Sequence, residues 1–396
     1  MTQPLSGIRI LDLSRLLPGA YATQMLADFG ADVIKVEEPG TGDYGRFMPP
    51  HSVGGMSLYF LAINRNKRSM TLNLKSAEGR EVFLRLVRTA DVVLESFRPG
   101  VMERLGLGYE QLKEKHPELI YCAISGYGQD GPYRLRAGHD LNYAGYAGLL
   151  HYNRGPHGEP AMPASQFGDL AGGSFMAVMG ILAALAGRAQ TGVGGMVDVS
   201  MTEGVMALLP LTSAAYLNTG TPPRPGRNSL DGGLPCYNIY ETSDGKHVTL
   251  AALEYKFWHT FCTHIGHLEL LPFYTPVGPG EREQAIEMLQ AIFKTRTRDE
   301  WMAELADIDA CVGPVYTIEE AMNDPQAQAR GVSITSRLAD ENGASFQTIP
   351  SFPRISGVEQ EQRHAVPGLG EHTAALLQEL GYEEAEIERM RSGGVL

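Results

Sequence analysis

The sequence predicts an α/β protein with a large, doubly wound, mostly parallel sheet and a second, smaller α+β domain. Three observations predict this class. Strands alternate with helices over residues 8–125, a Pro/Gly-rich segment without periodicity follows at 219–233, and a hairpin pattern with helices comes after it. Alternating strands and helices are typical of parallel sheets covered by helices. A chain of 396 residues also exceeds one ordinary core, so two domains are expected.

The large domain is predicted from its buried strands and the helices between them. Gly30 is placed as the C-terminal stop of the first helix. Ligands of such sheets bind beyond the carboxyl ends of the strands, so the loops after Leu13, Glu37 and Glu95 are the places to search. The predicted strands are 8–14, 31–37, 69–75, 90–96 and 119–125, and the predicted helices are 20–29 and 77–88.

The small domain is predicted at residues 219–330, including its linkers, and the large domain at 1–218 and 331–396. Ser243, Asp244 and Gly245 fit the turn of a hairpin. The C-terminal helices are expected to return to the large domain. The other predicted elements are helices 256–265, 281–293, 373–380 and 383–391, and an apolar, proline-punctuated stretch at 312–315.

Composition excludes several classes of protein. The net charge of −13 argues against non-specific nucleic-acid binding, although a few local cations can still bind phosphates. Four scattered cysteines without a CxxC pair suggest neither a zinc site nor a disulfide framework. No signal peptide is visible, so a cytoplasmic location is expected. The apolar segment 170–185 is interpreted as a buried core helix and not as a membrane span.

Familiar cofactor and metal motifs are also missing from the sequence. No GxGxxG or GxxxxGK[ST] loop follows the first strand, and no HExxH cluster occurs, so a dehydrogenase, a P-loop enzyme and a metal site are not expected. The cationic candidates for phosphate binding are Arg65, Lys67 and Arg68, before a strand, and Arg98, after another. Arginine presents a fixed fork of donors that matches phosphate oxygens. The alternative is a solvated surface run.

Three further residues are candidates for chemistry. His139 lies in the loop AGHDLNY, where a structural or exposed histidine is the alternative. Asp169 precedes an apolar helical run, where it either caps the helix or lies beside free N–H donors that can stabilise an oxyanion. Glu254 follows an apolar strand, as a solvated strand-end residue or as a partner that holds the His139 imidazole.

Several segments of the chain resemble a known family. LDLSRLLPGAYATQMLADFGADVIKVEEPGTGD, NRNKRSMTLNLK, VLESFRPGVMERLGLGYEQL, ISGYGQDGP and QTGVGGMVDVSMTEG resemble the family III (CaiB/BaiF) CoA-transferases and their relatives, the α-methylacyl-CoA racemases. The resemblance runs nearly end to end. GHDLNY, LDGGLPCYNIYETSDGKHVTLAALEYKFW and IDACVGPVYTIEEA resemble the racemase branch.

The resemblance implies a site and an assembly. His139 and Asp169 would be the acid/base pair of a racemase acting on 2-methylacyl-CoA, and Glu254 would orient His139. In the transferases, the residue matching Asp169 is instead a nucleophile that forms acyl-anhydride and CoA-ester intermediates. The family fold is a Rossmann-like large domain in an interlocked homodimer. The implied CoA contacts are Arg98, Tyr143, Lys75 and Arg104, together with the segment that contains Arg65, Lys67 and Arg68.

Two positions depart from the family pattern. Glu38 stands where several relatives have an arginine next to the coenzyme, and Ser165 stands where racemases often have an asparagine. No cofactor is expected, since coenzyme A is part of the substrate, and neither a membrane nor a nucleic acid is expected as a partner. A CoA-binding protein without activity is the third interpretation, against which the presence of both Asp169 and His139 argues.

Overall fold

The computed structural model describes residues 3–155, 158–338, 344–359 and 362–396, which form two compact units. The large unit contains Met1–Leu149, Pro163–Leu209 and Gly331–Leu396. The small unit contains Leu150–Met162 and Pro210–Arg330. The small unit therefore begins at Pro210 and not at 219, and it also includes a short earlier segment that the sequence did not separate from the large domain.

The strands agree in type with the sequence prediction and are shorter at their ends. The strands among the described residues are β1 (Arg9–Asp12), β2 (Asp32–Glu37), β3 (Ser52–Val53), β4 (Met56–Ser57), β5 (Lys67–Thr71), β6 (Val92–Glu95), β7 (Ile120–Ser125), β8 (Gly195–Ser200), β9 (Tyr237–Glu241), β10 (His247–Ala251), β11 (Val312–Pro314), β12 (Ile334–Arg337) and β13 (Ser345–Thr348).

The helices follow the same chain order. A π-helical segment, Phe167–Phe175, leads directly into α8, and 3₁₀ turns occur at Tyr44–Phe47 and Leu268–Tyr274. The α-helices among the described residues are α1 (Leu17–Asp28), α2 (Leu58–Ala62), α3 (Ala77–Val87), α4 (Val101–Arg104), α5 (Tyr109–Lys113), α6 (Asp140–Tyr146), α7 (Leu149–Tyr152), α8 (Met176–Thr191), α9 (Met201–Met206), α10 (Pro210–Thr219), α11 (Tyr255–His264), α12 (Glu281–Phe293), α13 (Arg298–Leu305), α14 (Ile318–Asn323), α15 (Pro325–Ala329), α16 (Thr373–Glu379) and α17 (Glu384–Ser392).

The large unit is built on a six-stranded sheet with the order β5-β2-β1-β6-β7-β8. Every pairing in it is parallel. The chain runs outward from β1 through β2 to β5, then returns to β6 on the other side of β1. The loops after β1 and β6 consequently diverge at a topological switch point, which is where open α/β sheets bind ligands.

Both faces of this sheet are covered, as the doubly wound prediction requires. Successive strand residues alternate between two apolar cores: Leu11 belongs to one core and Ile10 to the other. The first core is closed by α3, α16 and α17, so the prediction that the C-terminal helices return to the large domain is confirmed. The second core is closed by α1 and α8.

The apolar segment around α8 differs from its prediction. The continuous helix Phe167–Thr191 is long and apolar enough to cross a membrane, by length and composition. In α8 only Ala177 and Ile181 are buried, and Met179 and Leu182 on another face are exposed. The prediction of a buried core helix is therefore wrong for that outer face, because only one stripe of the helix reaches the second core.

The small unit is an α+β fold, as predicted. Its sheet has the order β11-β10-β9, and both pairings are antiparallel. The β9–β10 hairpin turns at the predicted residues 243–245, with Gly245 at a φ of 75°. Aromatic side chains from three helices fill its core, with Phe293 stacked between Tyr240 and Phe261.

Candidate active site

Two cavities open at the switch point between β1 and β6. The first has a volume of about 380 Å³ and is lined by three cations, Arg15, Lys75 and Arg104, beside the ring of Phe97. Three cations around an apolar wall suit a nucleotide with phosphate groups. Glu38 pairs with Arg15 at 3.1 Å and with Lys75 at 2.9 Å, and the hydrogen bond from Lys75 lowers the pKa of Glu38.

Arg15 lines both cavities and lies where they meet. Its guanidinium donates to the Tyr44 hydroxyl at 2.9 Å and lies 5.0 Å from the centre of that ring. It also lies 5.8 Å from the centre of the Phe97 ring. The side chain is thus held in one place by an ion pair to Glu38 and by two aromatic faces.

The loop that presents Arg15 has a strained backbone. Leu16 has φ 61° and ψ −145°, a region that residues with a Cβ rarely adopt. Its N–H donates to the Asp43 carboxylate at 3.1 Å, and Asp43 pairs with the fully buried Lys35 at 2.9 Å. The Arg15 N–H donates to Ser96 Oγ at 3.3 Å, in the loop after β6. The buried ion pair and these bonds keep the loop in place.

The second cavity, of about 350 Å³, adjoins the first and contains the residues with acid/base chemistry. His139 and Asp169 both line it, together with Arg98 and Tyr143. All four were predicted as site residues from the sequence, and the structure brings them together in the large unit. A base, an acid and a cation in one concave site match the geometry of proton-transfer or nucleophilic catalysis.

Asp169 lies in the first turn of the π-helical segment. Burial, with a smaller contribution from the charge of Asp140, raises its pKa to about 7. Its N–H donates to Asp140 Oδ1 at 3.0 Å, which fixes the two residues together. The residue before the helix is Gln166, so Asp169 is not the helix cap that was one alternative from the sequence. A carboxyl group with a pKa near neutrality is suited to both taking and giving a proton.

His139 immediately precedes α6 and is exposed to the cavity. Its N–H donates to Asn142 Oδ1 at 3.0 Å, which fixes the backbone at the start of the helix. The Tyr143 hydroxyl donates to the Gly138 carbonyl, and its ring packs edge-on against Tyr127 at 5.3 Å. The loop before His139 is thereby anchored on aromatic rings.

Comparisons with known proteins decide the family. The model of CoA-transferase family III matches residues 5–373. The chain belongs to CoA-transferase family III. It is 37% identical to an acyl-CoA transferase of Fusarium pseudograminearum, over 99% of this chain and 88% of that protein. It is 35% identical to the α-methylacyl-CoA racemase of Homo sapiens, over 99% of this chain and 97% of that protein.

A solved structure has the same fold. The crystal structure of a CaiB/BaiF family protein from Brucella suis superposes with a TM-score of 0.82 and 35% sequence identity, covering 96% of this chain and 100% of that chain. The prediction of a CaiB/BaiF protein with racemase relatives is therefore confirmed. The relatives include both racemases and CoA-transferases, so the family alone does not select the reaction.

Three of the predicted family CoA contacts are wrong. Arg65 is buried and paired with Asp28, and Lys67 is fully buried with its Nζ donating to Asp12 at 3.0 Å. Arg68 pairs with Asp32 and Glu379 near the amino ends of the strands, away from the edge where the cavities open. Arg65 and Lys67 neutralise carboxylates inside the protein, where a buried charge needs such a partner, and Arg68 pairs with partly exposed carboxylates outside the two cavities.

Of the remaining predicted contacts, Lys75 and Arg104 line the first cavity, and Arg98 and Tyr143 line the second. Their contact with coenzyme A stays a prediction. Glu254 lies at the residue before α11 in the small unit and is exposed. Its role as the partner of His139 also stays a prediction.

Sequence reasoning missed three arginines of the site: Arg15, Arg134 and Arg136. Arg15 follows β1 directly, so the rule that ligands bind after the strands pointed to its loop but not to the residue. Arg134 and Arg136 precede His139 closely in PYRLRAGHD. This short distance in the sequence from a candidate catalytic histidine was the signal that could have identified them.

Proposed function

We propose that this chain inverts C2 of 2-methylacyl-CoA thioesters. The observation that supports the proposal is the presence of His139 and Asp169 in one cavity at the switch point of the sheet. The hydrogen on the carbon beside a thioester carbonyl is weakly acidic, and its removal gives an enolate. Inversion then needs one group that takes the proton and a second that returns a proton to the opposite face.

The two residues have complementary properties for this exchange. Asp169, with a pKa raised to about 7 by burial, is available in both protonation states near neutral pH. The His139 imidazole lines the same cavity and would serve the other face of the enolate. Each positioned acid or base contributes a rate factor of ~10²–10⁴.

The enolate oxygen needs hydrogen-bond donors. The sequence pointed to the helix start at Asp169, but the N–H of Asp169 donates to Asp140 and that of Leu170 donates to Gln166. At the start of α6, beside His139, the N–H groups of Asn142 and Tyr143 donate to the His139 carbonyl oxygen. The N–H groups of Asp140 and Leu141, in the first turn, would therefore be the donors. One such donor typically contributes ~10²–10³ to the rate.

The first cavity would hold the nucleotide of coenzyme A. Lys75, Arg104 and Arg15 line it and would bind the phosphates, and the thioester would then reach the second cavity past Arg15. In this arrangement Glu38 has a role of its own, since it orients Arg15 and Lys75. Coenzyme A enters and leaves as part of the substrate.

Proton NMR in D₂O with a single epimer of a 2-methylacyl-CoA tests the proposal. We expect conversion to a mixture of epimers with deuterium incorporated at C2. The His139→Ala variant should lose inversion, because no acid remains for the second face, while Asp169 can still exchange the proton on its own face. Deuterium incorporation with retained configuration would therefore be the signature of that variant.

CoA transfer between carboxylic acids is the second candidate, and the similarity to an acyl-CoA transferase favours it. In that reaction the Asp169 carboxylate attacks the thioester carbonyl, which gives a mixed anhydride and releases CoA thiolate. The thiolate then attacks the aspartyl carbonyl, releases the donor acid and leaves an aspartyl-CoA thioester, which the acceptor acid attacks by the same two steps in reverse. C2 is untouched, and His139 has no required role. Transfer of CoA to an added acid, without C2 exchange and at an unchanged rate in His139→Ala, would replace the racemase proposal.

A further inference from the structure

The second cavity contains more positive charge than proton transfer requires. Arg15, Arg98, Arg134 and Arg136 line it, and Asp169 is the one carboxylate side chain among its lining residues. The whole protein has a net charge of −13, so this concentration of arginines is a local feature and not a reflection of composition. Arg15 is paired with Glu38, and Arg98 is a predicted CoA contact, which leaves Arg134 and Arg136 to explain.

Arg136 is held in place by aromatic rings instead of by a carboxylate. Its guanidinium lies 4.1 Å from the centre of the Tyr133 ring and 5.6 Å from that of Tyr146, whose hydroxyl also bonds to it. Both rings pack against Tyr127, at 5.9 and 5.5 Å. Among the described residues no ion pair is formed by this arginine. A pre-oriented fork with free N–H donors is suited to binding a carboxylate in two-point fashion.

Arg134 extends the same positive wall. It lines the second cavity and also an adjoining one, in which Glu103 and Glu110 are the acidic residues. Neither glutamate forms an ion pair with Arg134 in the part of the chain that the structure describes. Arg134 is thus a second cation that faces the cavity without a fixed anionic partner.

The phosphates of coenzyme A do not explain these two arginines. Lys75 and Arg104 line the first cavity, where the proposed function places the phosphates, whereas Arg134 and Arg136 line the second cavity with His139. If the thioester lies between His139 and Asp169, as the proposed function places it, the groups near these arginines belong to the acyl part of the substrate.

We propose that Arg134 and Arg136 bind a carboxylate at the far end of the acyl group, so that the substrate is a short dicarboxylic acid joined to coenzyme A through one carboxyl. This inference rests on the proposed function for the position of the thioester. The smallest acyl group in which a C2 methyl centre is separated from a free carboxylate by a methylene group is 2-methylsuccinyl. A purely hydrocarbon chain would make no charge-assisted hydrogen bonds with these two arginines, which are exposed to solvent in the free protein.

Binding of two unreactive thioethers tests this assignment. S-(3-carboxypropyl)-CoA and S-butyl-CoA have chains of four carbons and differ in the terminal carboxylate. By isothermal titration, we expect the wild-type protein to bind the carboxylated compound ~10-fold or more tightly. Arg136→Gln should remove most of this preference and leave S-butyl-CoA binding within about 2-fold, since only the charge-assisted bonds are lost.

Arg85→Gln is the matched control. Arg85 also lies over a tyrosine ring, Tyr382, at 4.6 Å, but it lies on α3 and does not line either cavity of the site. Arg136→Lys keeps a positive charge and should keep part of the preference, which separates loss of charge from loss of packing on Tyr133. Thermal unfolding of each variant confirms that the comparison is made between folded proteins.

Equal binding of the two thioethers by the wild-type protein would overturn the proposal, as would a full preference in the Arg134→Gln/Arg136→Gln double variant. Thioethers have no carbonyl, so neither C2 inversion nor acyl transfer can occur on them. A failed D₂O exchange experiment therefore contradicts the racemase proposal alone, and a failed binding experiment contradicts the carboxylate subsite alone.

Discussion

Asp169 combines a buried carboxyl group with an acidic neighbour, and this sets a pH dependence. Because burial and the charge of Asp140 raise its pKa to about 7, we expect kcat/KM to fall below about pH 7 if the ionised form removes the proton. Asp140→Asn keeps an oxygen for the Asp169 N–H but removes the neighbouring charge. The acidic limb of the profile should then move to lower pH, and an unmoved limb would show that another group controls it.

The same raised pKa predicts a conflict between activity and stability. A carboxyl group whose pKa rises from 3.8 to about 7 on folding is tolerated while protonated and destabilises the native state once ionised. Stability should therefore be lost progressively between about pH 4 and pH 7. Asp169→Asn, which cannot ionise, should abolish turnover and raise the melting temperature at pH 8 by about 2 °C or more, with little change at pH 4. If Asp169→Asn and the wild-type protein had the same melting temperature at pH 8 as well as at pH 4, Asp169 would not be a buried group that is ionised at pH 8.

The strained loop at Leu16 depends on one buried carboxylate. Asp43→Asn would leave the buried Lys35 without its nearest carboxylate, at 2.9 Å, and retain Asp12 at 4.0 Å. We expect a loss of about 3 kcal/mol of stability, typical of a broken buried ion pair. Since the loop presents Arg15, KM for acyl-CoA should rise more than kcat falls. Urea unfolding and steady-state kinetics check the two effects separately.

Among the elements, the π-helical segment Phe167–Phe175 is packed unusually close to α9. A Cβ on Gly172 would lie 2.3 Å from the Met201 carbonyl oxygen, and one on Gly204 would lie 2.5 Å from the Gly172 Cα. Two glycines therefore let the backbones touch, and this contact helps to set the position of Asp169.

Gly172→Ala is accordingly expected to cost about 2 kcal/mol or more through overpacking, and to lower kcat by displacing Asp169. Gly187→Ala in α8 is the matched control, since its Cβ would meet nothing within 4 Å. Alanine there should stabilise the helix by about 0.5–1 kcal/mol and leave kcat unchanged. Denaturant unfolding of both variants, with kinetics, distinguishes close packing from a general effect of alanine.

The element boundaries show what the sequence could and could not predict. Helix 281–293 was predicted with the bounds it has, because its apolar residues repeat at helical spacing. Helix α1 begins at Leu17, before the predicted residue 20, since Pro18 is well suited to a first turn. Strand β5 begins at Lys67, before the predicted 69, because burial of a lysine against Asp12 depends on a residue far away in the chain.

The residues of the candidate site also divide into those that the sequence could predict and those that it could not. His139 and Asp169 were candidates from their local segments, where structural roles stayed open, and the family resemblance implied their pairing. Arg65 looked equivalent to Arg98 in the sequence, but its ion pair with Asp28 is set by the tertiary structure. Arg136 was missed for the converse reason, since its orientation depends on tyrosine rings that only folding brings together.

At the scale of the whole molecule, the continuous helix Phe167–Thr191 exposes an apolar face to solvent. Phe175, Met179 and Leu182 are 50%, 61% and 41% exposed. Apolar surface of this extent is typical of an interface. We propose that a second copy of the chain covers this face, in the interlocked homodimer that the family resemblance implies.

Met179→Glu should therefore shift sedimentation toward a monomer and reduce activity at low protein concentration. Val277→Glu is the control, at an isolated apolar side chain that is 94% exposed in the small unit. A stable and active wild-type monomer on dilution would contradict the dimer. Co-sedimentation of the wild-type chain with lipid vesicles, lost in Met179→Glu, would assign the face to a membrane instead.

The large unit is made of separate stretches of the chain, so the two units are completed at different times during synthesis. Residues before 150 and after 330 belong to the same unit, whereas most of the small unit is one continuous stretch, Pro210–Arg330. As the ribosome releases the chain from its amino end, the small unit has nearly all its residues while the large sheet still lacks α16 and α17. Until Leu376 and Ile387 emerge, one apolar face of that sheet is covered by α3 but lacks the two C-terminal helices. Ribosome-bound chains stalled near residue 340 should consequently bind chaperones more tightly than full-length chains that have left the ribosome.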